Sequence, residues 1–176
     1  MSCELQKEGD KLFAVLSFHR KQLLYDIKNA AYIEGSVMEP ETPDHNRHMV
    51  QDVGEEGNVD RVTRILDLTV AECRELLYRF TRHDVRNLHL DDKFKEQKMY
   101  GIVLKVATDF SQTTLNYLEQ LIHEFLVARA LTEWMRITHP GKAGSWKERS
   151  DEIVTMIRSC LNSRATRTRI RPHFLG

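Results

Sequence analysis

At 176 residues, the chain has the length of one domain with a loop or arm attached. Its 26 basic and 26 acidic side chains cancel to a formal net charge of +0, and 41% of its residues are hydrophobic. Those values exclude a disordered chain and a uniformly basic polyanion binder.

The pattern predicts a first helix from about Lys11 to Ile33, with Leu12, Leu16, Leu23, Ile27 and Ala30 close to one face. Asp10 would cap its start and Gly35 would stop it. An acidic segment follows, in which Glu34, Glu39, Glu41, Asp44, Asp52, Glu55 and Glu56 face a lone Arg47. Pro40, Pro43, Gly54 and Gly57 punctuate it, so residues 37–57 read as a mobile acidic loop. Asn58 would cap a second helix reaching His83, whose Val62, Leu66, Thr69, Cys73, Leu76 and Phe80 follow steps of four and three.

Residues 84–99 are polar and weakly patterned. Tyr100, Ile102, Leu104 and Val106 then alternate with their neighbours, which predicts a strand near 100–107. After Asp109-Phe-Ser111 comes the most apolar segment, a third helix over about 111–138. Its leucines, Ile122, Phe125, Trp134 and Met135 cover more than one stripe, so it should be the central helix. His139-Pro140-Gly141 would end it, and Ser145-Trp-Lys-Glu148 reads as a capping box opening a fourth helix to about Ser163. A second short strand fits 166–171. The expected fold is mainly α: a single domain over 1–176, four-helix bundle-like, with one or two short β-strands near 100–107 and 166–171.

The sequence offers no complete catalytic set. His45 and His48 beside Asp44, and His83 and His89 around Asp84, lack metal-ligand spacing. His123-Glu124 begins like a zinc-protease helix, but Val127 stands where the second histidine is needed. Cys3, Cys73 and Cys160 form no CxxC pair, which fits a reducing compartment; Cys73 and Cys160 fall on apolar helix faces. Trp134 and Trp146 bracket the turn between the last two helices and should pack across it. The Gly141-Lys-Ala-Gly144 turn lacks Walker spacing. No enzyme activity, cofactor or metal is expected.

The C-terminal arm over 164–176 is the stronger signal. Arg164 precedes Arg167, Arg169 and Arg171, which alternate with Thr166, Thr168 and Ile170, and no acidic residue follows Glu152. Phe174-Leu175 supplies an apolar anchor after Pro172. Arginine at this spacing suits paired carboxylates or phosphates. Arg164, Arg167, Arg169, Arg171 and Phe174 are therefore the candidate interaction residues.

Asp109-Phe110-Ser111, Leu121-Ile-His-Glu-Phe125, Ala130-Leu-Thr-Glu-Trp134, Ile137-Thr-His-Pro140, Trp146 and Pro172-His-Phe174 together resemble small phage and prophage structural-cluster proteins of gut Bacteroidetes. At greater distance the layout is similar to the helical head–tail connector and head-completion adaptors of tailed phages. That resemblance implies assembly into a ring or layer at a virion neck or tail, and transfers no binding residue. The expected function is thus a non-enzymatic structural protein that self-associates or joins neighbouring subunits, its arginines meeting acidic groups such as those of the 34–58 segment in the next copy. The alternative is a nucleic-acid-associated module gripping phosphates with the same arginines. No apolar run approaches the roughly 18–20 residues of a membrane span, and the polar start lacks a secretion signal. A cytoplasmic location, or incorporation into a phage-like particle, is expected, with no membrane partner.

Overall fold

Residues of period two open the chain as a sheet. The structure, a computed structural model, describes residues 2–8, 11–39, 44–81, 98–106 and 110–162, with 2–8 and 11 described by their backbone alone. Strand β1 (Ser2–Glu8) pairs antiparallel with β2 (Lys11–His19), Glu8 opposite Lys11 and Ser2 opposite Ser17. In β2, Ala14, Leu16 and Phe18 alternate inward and are buried. The expected helix over 11–33 is corrected here: it begins at Arg20, as α1 (Arg20–Ser36), and its first nine expected residues are strand. Leu12 and Leu16 satisfy both periods. The run Phe13-Ala14-Val15-Leu16 in β2 completes a strand surface instead.

Strand β3 (Met99–Val106) stands where the alternation places it, and its Tyr100, Ile102, Leu104 and Val106 are buried. It pairs antiparallel with β2, so Phe18, Leu16 and Ala14 face Tyr100, Ile102 and Leu104 across the strands. The sheet order is β1-β2-β3. One further bridge joins Thr81 to Leu104. The expected strand at 166–171 lies outside the described residues.

The remaining described residues are largely helical, and the fold is mainly α with this small sheet. Five α-helices are described, not four. The stretch read as a loop over 37–57 contains helix α2 (Asp44–Gln51) and a single 3-10 turn (Asp52–Gly54). Two valines explain the order: Val50 and Val53 are buried in the core and hold this segment down. Helix α3 (Glu56–Leu76) follows at once, with Val62, Leu66, Thr69, Val70 and Cys73 inward. Val62, Leu66, Thr69 and Cys73 of the expected seam are thus packed, but the helix ends at Leu76, short of the expected His83, and a second 3-10 turn, Tyr78–Phe80, holds Phe80 half-buried.

Helix α4 (Gln112–Thr138) is the central element, buried on more than one side from Leu115 to Met135. It contacts α1, α2, α3, α5 and the strands β1 and β2. Helix α5 (Pro140–Asn162) starts after a single residue, His139. Pro140 takes the first helical position, where its missing N–H costs nothing because that donor has no intrahelical acceptor. The capping box at Ser145 is therefore not a helix start: Ser145 is an exposed residue inside α5. Ile153, Ile157 and Leu161 face inward from α5.

Polar bonds between elements fix the layers. Arg20 donates from its backbone N–H to Lys98 O and from Nη1 to Thr63 Oγ1 at 2.6 Å. The Tyr100 hydroxyl donates to Asp67 at 2.7 Å, and Arg74 donates to Gly101 O at 2.8 Å, so α3 is tied to β3 twice. Arg129 on α4 pairs with Glu72 on α3 at 3.0 Å and with Glu133 at 2.7 Å. Burial acts to lower the pKa of Arg129, but the hydrogen bonds and charges of Glu72 and Glu133 outweigh it and raise it.

Candidate functional site

Helix α1 carries two different faces. Leu23, Ile27, Ala31 and Gly35 recur every four residues and are buried. On the other side Tyr25 and Tyr32 are 64% and 61% exposed, and Ile33 and Val37 are exposed beyond them. Tyr25 and Tyr32 are two turns apart, about 10 Å along the axis. Ordinary surface helices put charge there, so two exposed tyrosines on one stripe are the first sign of a contact surface.

The second wall is supplied by α2 and its 3-10 turn. Trp134 Nε1 donates to Val50 O at 3.0 Å, which pins this segment to α4. Asn58 Nδ2 donates to Asp52 O at 2.9 Å and sets the turn leading into α3. Two glycines permit the close approach of the walls. A Cβ on Gly35 would stand 2.6 Å from Gln51 Cγ, and one on Gly54 would stand 2.0 Å from Lys28 Cε. Without a side chain at Gly54, the Lys28 stem lies directly over the turn.

Between the walls is an open groove of about 400 Å³. Tyr25, Tyr32 and Lys28 line it from α1; Gln51, Asp52 and Glu55 line it from the other side. Asp52 is half-buried and Glu55 exposed. Among the described residues, neither carboxylate belongs to an ion pair. Glu55 and Glu56 also sit at the N-terminus of α3, where the helix dipole favours negative charge. The groove thus joins flat aromatic faces to unneutralised carboxylates, a chemistry suited to a cationic, partly apolar segment.

A second polar feature crosses α1 and α4. His123, buried on α4, shares a 2.8 Å hydrogen bond through Nε2 with Asp26 Oδ2 on α1. Gln22 Nε2 donates to both Asp26 oxygens, at 3.1 and 3.2 Å. His123 Nδ1 has no hydrogen-bond partner, nor does Glu119 Oε1 one turn earlier. Among the described residues no serine, threonine or cysteine bonds to His123. Its Phe18 neighbour, with ring centroids 6.3 Å apart, places it in the core.

The other sequence candidates fall in varied places. Arg164, Arg167, Arg169, Arg171 and Phe174 lie outside the described residues, as do His83 and His89. His45 and His48 are exposed on α2. Among the described residues no three histidine, cysteine or carboxylate side chains are grouped to hold a metal ion. Burial pushes the Cys73 thiol up to about 12, against an ordinary value of 9.0. Such a group is an inert packing thiol at neutral pH. Cys160 is half-buried. Trp134 is buried and bonded to α2, while Trp146 packs half-buried against the core. No helix among the described residues is long and apolar enough to cross a membrane.

Composition did not reveal the groove. Its signal in the sequence is the Tyr25–Tyr32 spacing of seven on the polar side of α1, while Asp52 joins it only through the fold. No protein-family model matches the chain, and no similar curated protein or solved structure was found.

Proposed function

We propose that this chain is a non-enzymatic structural protein that works by assembling with neighbouring subunits, as a phage or prophage neck or tail connector component does. The observation that carries this reading is the tyrosine-lined groove on α1, which presents aromatic surface and free carboxylates to solvent. Tyrosine gives large contact area at little entropic cost and is enriched where protein surfaces meet. Its hydroxyl also keeps such a surface wettable before the partner arrives. The resemblance of the segment from Asp109 to Phe174 to phage structural-cluster proteins points the same way.

Sedimentation velocity on the full chain, from low to high micromolar concentration, tests the reading. A shift from monomer to a discrete larger species is the expected result; a monomer throughout overturns it. The same runs with added DNA and RNA at low salt separate the alternative. Binding that falls steeply with ionic strength, in a chain that stays monomeric, would assign the arginines to phosphates instead.

A further inference from the structure

Of the surfaces the molecule offers, the groove has the most definite chemistry. We propose that it receives the arginine-bearing arm, residues 164–176, of a second copy of this chain; the proposal rests on the assembly reading above.

Charge is the first argument. The groove sets the carboxylates of Asp52 and Glu55 against the single ammonium of Lys28. The half-buried Asp52 has no ion-pair partner among the described residues, so an incoming cation meets an acceptor already partly desolvated. The arm carries four arginines and no acidic residue. The whole chain is neutral, so the surplus of acid elsewhere balances this arm.

Shape is the second. Alternate residues of an extended segment are about 6.7 Å apart, which puts Arg167 and Arg171 about 13 Å from one another. Tyr25 and Tyr32 are about 10 Å apart along α1. Guanidinium groups at that interval can lie on the tyrosine faces while their N–H forks reach Asp52 and Glu55.

Reach limits which arginines the arm's own copy could supply. Helix α5 runs antiparallel to α4, as the one-residue link at His139 and the Tyr117–Met156 contact of 3.9 Å require. Its first turn is beside the end of α1, where Lys142 Nζ is 3.4 Å from Glu34 Oε2. Its last residue, Asn162, is therefore about 30 Å further along the bundle. From there back to the groove is roughly 20 Å or more along the axis. The five residues ending at Arg167 span at most about 17 Å when fully extended, so the Arg167 backbone of the same chain falls short, whereas the nine ending at Arg171 span about 30 Å and do not. An arm delivered by a neighbour differs from one folded back on its own chain in that association depends on concentration, and a head-to-tail contact of this kind closes into a ring when the rotation permits.

The test compares four proteins with the full chain by sedimentation velocity, with circular dichroism to confirm helix content. Y25A/Y32A removes exposed side chains only and should weaken association at least tenfold. D52K/E55K and R167E/R169E/R171E should do the same. The chain carrying both charge reversals together should regain association, because the signs are exchanged and not removed. Unchanged association in Y25A/Y32A and D52K/E55K would overturn the groove while leaving the assembly reading standing. A full chain that is monomeric at every concentration would overturn both.

Discussion

Helices α4 and α1 touch along their length and yet use their sequences in opposite ways. In α4, fifteen of 27 residues are buried, and they surround the helix. In α1, five of 17 are buried, all on one stripe. The first helix has spent most of its apolar side chains on the fold, with Tyr117 and Ile137 left about half exposed. The second keeps Tyr25, Tyr32 and Ile33 in solvent, with Val37 just past its end, where they contribute nothing to the core. Apolar content therefore marks stability in one helix and contact in the other, and burial separates the two cases.

The contrast breaks most plainly at Leu126, which is fully buried in α4. Leu126→Ala should cost about 2–5 kcal/mol, from lost transfer energy and the cavity left behind. Urea unfolding reads this as a lowered midpoint at unchanged slope; a change under 1 kcal/mol would mean that α4 is not the centre of the core. The seam between the helices is next. His123→Ala removes the partner of Asp26 and should cost about 1–3 kcal/mol in the same measurement. Tyr25→Ala with Tyr32→Ala should be nearly silent, within about 0.5 kcal/mol, because those side chains are already in water. A large loss of stability there would place the tyrosines in the fold and remove the distinction.

The sequence made some of this readable and hid the rest for physical reasons. The α3 seam and β3 follow from clean periodicity, since each buries one face, and α4 from an apolar run long enough to cover more than one stripe. The first 19 residues were harder. Leu12 and Leu16 suit a helix and a strand alike, and Asp10 looks like a cap. The decisive cue is the period-two run of Ala14, Leu16 and Phe18, which the fold buries as one strand face. At Ser145 the local motif is sound, but Pro140 starts the helix five residues earlier. The acidic segment was visible as charge alone. Nothing in its composition says that Val50 and Val53 anchor it, because that depends on Trp134, 84 positions away from Val50.

The sheet has one further consequence. Strands β2 and β3 are neighbours in space, but residues 20–98, including α1, α2 and α3, lie between them in the chain. Closing a flexible loop of that length costs about 4 kcal/mol in chain entropy, and the cost comes before any strand bond forms. The α4–α5 pair faces almost no such barrier, because one residue joins the two helices. Local connectivity thus lets the helical hairpin pair without a long loop closing first. The β2–β3 pairing, in contrast, exists only while the helices between those two strands hold their places.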